Sequence, residues 1–220
     1  RYHLKTTWTK LKIIQDILKN PEEIVLLGTN TTTLAKQELS WIKKVFAQPI
    51  LRRLFPDVIP DPGKEFNGWE KCTETELTLK RPNKMGYIAQ GPQILAVGLG
   101  TVITGIHPTK AYLDDIITER VIDSPTEMNN AREWWVYLQP ICAEAPITLI
   151  CTPYHYLDLY CEMIRDKHFG NNVFIRPVKE NGKFIWSYMT EKRFKKMTVR
   201  MTDYAISTQF YLKPIPEEDR

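Results

Sequence analysis

No apolar run in this chain approaches the roughly 20 residues that a helix needs to cross a bilayer, so a helical membrane-spanning role is not expected. Cysteine is sparse: Cys72, Cys142, Cys151 and Cys161 are scattered without any C-x-x-C spacing, and a chain of 220 residues does not need disulfide staples to fold. Reduced thiols in a cytoplasm are the simplest reading. A zinc site using His3, His107, His155 or His168 is the minor alternative, because nothing pairs these residues at ligand spacing. Internal repeats and low-complexity segments are lacking. No strong excess of one charge exists either, since 30 basic against 26 acidic residues leave +4. That balance is compatible with handling a polyanion and too mild to establish it. There is no signal-peptide pattern at the start, and because the first residue is Arg1 rather than Met, the chain is expected to be a fragment.

The hydrophobic content of 43% is globular, enough for one substantial core, and the expectation is one domain with a tail. Trp8, Leu11, Ile14 and Leu18 recur at helical spacing and predict a helix from Lys5-Thr6 to Lys19, stopped by Asn20-Pro21. Ile24 to Leu27 reads as a buried strand. Gly28 then allows a turn into a helix starting near Thr31, with Leu34, Ala35, Leu39, Ile42, Val45 and Phe46 on one face. Residues 49–68 read as a long irregular surface connection. Further strands are expected at 76–80, 94–98, 111–116 and 147–151, and helices from Ser124 to about Leu138 and from Tyr156 to Lys167. This alternation implies an α/β fold with a mainly parallel sheet flanked by helices on both faces. The crowd of Lys192, Arg193, Lys195, Lys196 and Arg200 reads first as a solvated helix face and second as a nucleic-acid patch.

Three features carry chemistry. Lys5-Thr6-Thr7 at a helix start has the lysine and hydroxyl of the last positions of a phosphate-binding loop, and a helix N-terminus there would face its amides and dipole toward phosphates. Asp114-Asp115 ends a buried strand, where a magnesium ligand and a water-orienting carboxylate belong. Thr152, directly after another strand, would project from the same sheet edge, where open α/β sheets bind ligands. Each has a plainer reading: an ordinary first turn, acids meeting solvent at a strand end, and a threonine before a proline. Leu4 stands where the usual loop has glycine, and Asp115 where the water-activating residue is normally glutamate.

With those residues in order, the chain resembles the ATPase domain of a tailed-bacteriophage terminase large subunit. The resemblance runs through His3-Leu4-Lys5-Thr6-Thr7, Gly28-Thr29-Asn30-Thr31, Val97-Gly98-Leu99-Gly100, Thr104 to Pro108, Leu113-Asp114-Asp115, Cys151 to His155 with Leu157-Asp158-Leu159, and Tyr204 to Pro216. It implies a P-loop NTPase-like domain over residues 1–190 and a basic linker over 191–220 leading toward a nuclease domain not present in the chain, so no DNA cleavage is expected. It also implies ATP and Mg2+ as cofactors. His3, Leu4, Lys5, Thr6 and Thr7 would form the nucleotide loop, Thr6 and Asp114 would hold the metal, and Lys5, Asp115 and Thr152 would be the catalytic and coupling residues. The implied partners are double-stranded DNA, a portal protein, a small terminase subunit and further copies in a ring on the procapsid, in the host bacterial cytoplasm. The strand before the loop would lie upstream of Arg1. Related proteins often place an arginine before the acidic pair, where this chain has Thr104 and Ile106; Arg120 and Arg132 are the substitutes available. A helicase-like or transposition-associated ATPase, and a degenerate fold without turnover, remain alternatives.

Overall fold

The computed structural model describes residues 4–60, 68–81 and 91–214. They divide into two compact units, one of residues 4–116 and 130–150 and the other of residues 117–129 and 151–214. The first unit is an α/β sheet structure. Its elements are α1 (Lys5–Lys19), β1 (Val25–Thr29), α2 (Thr32–Phe46), α3 (Pro49–Leu54), β2 (Lys71–Cys72), β3 (Glu76–Thr78), β4 (Ile94–Gly98), β5 (Lys110–Asp114) and β6 (Ile147–Ile150). The sheet order is β2-β3-β4-β1-β5-β6, parallel from β4 to β6, with β2 and β3 forming an antiparallel edge.

Side chains alternate across a strand, so each strand serves both layers of core. Val25, Leu27, Ala96 and Tyr112 meet Ile13, Ile17, Leu39, Ile42 and Phe46 of α1 and α2. On the opposite face Trp134 lies beside Gly28 and Leu113; it belongs to helix α5 (Pro125–Ile141), whose residues 130–141 fall in this unit. The helical period of α1 is as the sequence predicts, but its phase differs. Thr9, Ile13, Ile14 and Ile17 are buried while Trp8 and Leu11 are exposed. α2 buries the expected stripe, and Thr31 caps it by accepting the Leu34 amide at 3.2 Å. The connection expected to be irregular surface is partly core. Pro49 opens the helix α3, where a missing N–H costs nothing, and Val58 and Ile59 are buried in the main cluster. Residues 61–67 of that connection lie outside the described residues.

The second unit contains α4 (Glu119–Ile122), residues 125–129 of α5, α6 (Leu159–Arg165), the hairpin β7 (Lys179–Glu180) and β8 (Lys183–Phe184), α7 (Glu191–Thr198) and α8 (Asp203–Gln209). Asp158 starts α6 three residues later than expected, its carboxylate accepting the amides of Cys161, Tyr154 and His155. Residues 191–214, expected as a linker, are instead folded into this unit: Phe194 of α7 and Phe210 beyond α8 are buried with Val178 and Met189. The apolar residues interleaved with the lysines are what tie the segment down. Tail residues 215–220 lie outside the described residues. Among the described residues, no helix is long and apolar enough to cross a membrane.

Candidate functional site

Because β4, β1, β5 and β6 are parallel, their carboxyl ends lie along one edge of the sheet, and Thr29 of β1 sits beside both Gly98 and Asp114. α1 runs back along the sheet. Its C-terminal half is tied to the amino-terminal part of β5, where Tyr112 donates its hydroxyl hydrogen to the Asp16 carboxylate and Lys110 Nζ stands 3.2 Å from both Asp16 and Glu23. Burial raises the Asp16 pKa, but hydrogen bonds from Lys12, Tyr112 and Lys110 hold it below the ordinary value; the same burial and the Asp16 charge push the Tyr112 phenol up. This clamp sets the helix so that its first turn reaches the carboxyl edge.

There the predicted residues meet. Leu4 precedes α1 in the left-handed region, φ 54°, and Lys5 and Thr6 begin the helix with no acid in its first turn. Thr6 donates its hydroxyl hydrogen to the buried Asp114 carboxylate, and Lys5 Nζ is 3.8 Å from Asp115 Oδ1. Burial pushes the Asp114 carboxyl up to about 6; the Thr6 hydrogen bond and Lys5 oppose the shift, while Asp115 and Glu38 add to it. Asp115 also has a left-handed backbone, φ 44°, unusual outside glycine and, at about 1–3 kcal/mol, a strain typical of functional positions. Asp114 Oδ1 and Asp115 Oδ1 are buried and accept no hydrogen bond. Two such acceptors next to a lysine and a helix N-terminus can hold a cation and face an anion at the same time.

Gly98 completes the edge. A Cβ there would lie 2.3 Å from the Thr32 amide nitrogen, so the start of α2 rests directly on the end of β4. Glu38 of α2, ion-paired to Lys10 at 2.7 Å, is an acidic neighbour of Asp114 that sequence reasoning missed, since nothing in its surroundings marks it. Thr7 follows on α1, half-buried, while His3 lies outside the described residues. Thr152 is buried two residues beyond β6 and belongs to the other unit. Of the two candidate arginines, Arg120 faces Glu127 at 3.6 Å on the exposed surface of that same unit, and Arg132 is half-buried in α5. Among the described residues no group of three or more His, Cys, Asp or Glu converges to hold a metal, and none of the four cysteines is in a disulfide. No protein-family model matches the chain, and no curated protein matches it.

Proposed function

We propose that this chain is an ATP-hydrolysing domain of the P-loop NTPase type, serving as the motor that drives viral DNA into procapsids, as its resemblance to terminase large subunits implies. The observation that carries the hydrolase part is the convergence of Lys5 and Thr6, at the start of α1, on Asp114 and Asp115 at the end of β5. Phosphoryl transfer from ATP is mostly positioning and charge neutralisation. Lys5 would neutralise the β and γ phosphates together with the first-turn amides of α1. Leu4, in a conformation that glycine adopts most easily, would turn the chain into that helix. Mg2+ would be held by the Thr6 hydroxyl and Asp114, a fit supported by the buried Asp114 Oδ1 that accepts no hydrogen bond. The ion would supply further charge neutralisation on the phosphates. Asp115 would orient the attacking water and accept its hydrogen bond, and Thr152 would couple turnover to movement. The partners proposed with this role are double-stranded DNA, a portal, a small terminase subunit and a ring of copies in the host cytoplasm.

Isothermal titration with ATP tests the site. Binding should require Mg2+ and should weaken at least about tenfold in Lys5→Ala, which removes the phosphate counter-charge. Metal-independent binding, or binding untouched by the substitution, would sink the assignment. Adding procapsid and portal separates a packaging motor from a helicase-like ATPase, because packaging alone protects DNA from nuclease inside the shell. One observation favours a degenerate fold as the second reading. Leu4 places a side chain where phosphate loops keep bare backbone, and tight ATP binding without turnover would identify that case.

A further inference from the structure

Between residues 173 and 200, in a chain of net charge +4, stand eight Lys or Arg and only two acids, Glu180 and Glu191. Both acids are engaged: Glu180 lies 3.5 Å from Arg176 and Glu191 lies 2.5 Å from Lys179. The cations of α7 are not. Lys192, Arg193, Lys195, Lys196 and the nearby Arg200 are exposed and have no acidic partner among the described residues. Lys192, Lys195 and Lys196 stand at i, i+3 and i+4, one face of the helix, with neighbouring side chains about 5–6 Å apart. Phe194 and Thr198, on the other face, are buried. The hairpin β7–β8 flanks this helix. Its turn residues Asn181 and Gly182 both have positive φ, 51° and 77°, as a two-residue hairpin of the I′ type requires, and Lys179 ties the hairpin to Glu191.

An uncompensated cationic row calls for a polyanion, and two details narrow the choice. The apolar side of α7 is committed to the unit's own core, so the helix has no face to insert among acyl chains. The exposed aromatic rings of this unit are each covered by a neighbour: Trp186 stacks on Tyr188 at 6.2 Å, Arg193 lies over Tyr188 at 5.2 Å, and Arg176 lies over Phe174 at 5.8 Å. Rings so occupied do not offer the stacking platform that single strands use. What is left is contact with a phosphate backbone. We propose that the outward face of α7, carried by Lys192, Arg193, Lys195, Lys196 and Arg200, is a sequence-independent binding surface for the backbone of duplex DNA. That the surface takes a nucleic-acid backbone follows from its own residues; that the duplex is DNA rests on the motor reading.

Fluorescence anisotropy of two unrelated labelled duplexes of about 30 bp, over a range of KCl concentration and without ATP or Mg2+, tests it. The triple variant Lys192→Ala/Lys195→Ala/Lys196→Ala should lower the log–log salt slope by about 2–3 and weaken binding at least about tenfold, equally for both sequences. A triple Lys→Gln variant, with circular dichroism alongside, guards against loss of the helix and should behave the same way. Lys19→Ala/Lys44→Ala/Arg53→Ala removes the same charge from exposed positions of the other unit and should leave both quantities unchanged. Equal loss in that control, or undiminished binding in the α7 variants, would overturn the proposal. So would tighter binding of single strands that disappears in Trp186→Ala, or binding of phosphatidylserine vesicles in place of DNA. A wild type that binds duplex in this way but never releases phosphate from ATP would sink the motor reading and leave this surface standing.

Discussion

Replacing Asp114 by asparagine should stabilise the metal-free protein at neutral pH while removing its function. In the fold the Asp114 carboxyl titrates at about 6 instead of 3.8, chiefly because it is buried. Between those two values the folded chain binds more protons than the unfolded one, so the contribution of this group to stability falls as pH rises through the window and is fully lost above about 6. A shift of about two pH units at about 1.4 kcal/mol each amounts to about 3 kcal/mol of destabilisation at pH 7.5. Asp114→Asn removes the charge and keeps an acceptor for the Thr6 hydroxyl, so most of that energy should return. For a chain of this size it would appear as a rise in Tm of about 4–10 °C. Urea unfolding of both proteins, without Mg2+ or nucleotide, measures the difference at pH 7.5 and at pH 4, where Asp114 is mostly protonated and the gap should shrink to less than about 1 kcal/mol. Adding Mg2+ should narrow the gap at pH 7.5 by stabilising only the wild type. An asparagine variant less stable than wild type at pH 7.5, or a gap independent of pH, would refute the reasoning.

Tyr112→Phe removes the hydroxyl that Asp16 accepts and loosens α1 from β5; urea unfolding should show a loss of about 1.5–3 kcal/mol, as for a hydrogen bond to a charged group, whereas a loss near zero would mean that Lys12 and Lys110 hold Asp16 alone. Gly98→Ala drives a methyl into the backbone at Thr31 and Thr32, and because backbone cannot rotate away, thermal unfolding should shift down by the equivalent of about 1–3 kcal/mol, with an unchanged Tm contradicting the close approach.

Legibility varied with how far each signal had to reach. β1, α2, β4 and β5 stand where apolar periodicity puts them, because short buried strands and an amphipathic helix are local patterns. The phase of α1 was less legible: Trp8 and Leu11 satisfy the helical period as well as Ile13 and Ile17 do, and only packing against Val25, Leu27 and Tyr112 decides between them. α7 is masked by its lysines and α8 by its short run of mostly small and polar residues, although Phe194 and Phe210 carry the apolar signal and Asn181-Gly182 is a two-residue hairpin signal. In the site, Lys5, Thr6, Asp114 and Asp115 were each legible from residue type, but their meeting depends on parallel strands sharing one edge and on α1 running back along them. The Asp16, Glu23 and Lys110 clamp and the nearby Glu38 join distant segments with no local pattern to announce them.

Steady-state phosphate release from ATP with Mg2+, for the wild type beside Lys5→Ala and Asp115→Asn, tests the central claim most directly. Asparagine tolerates the left-handed backbone of residue 115, so that variant changes charge and leaves the fold in place. The account predicts Mg2+-dependent turnover in the wild type and a loss of at least about a hundredfold in each variant, with both still folded. Turnover in either variant equal to wild type, or a wild type that never releases phosphate, would contradict it.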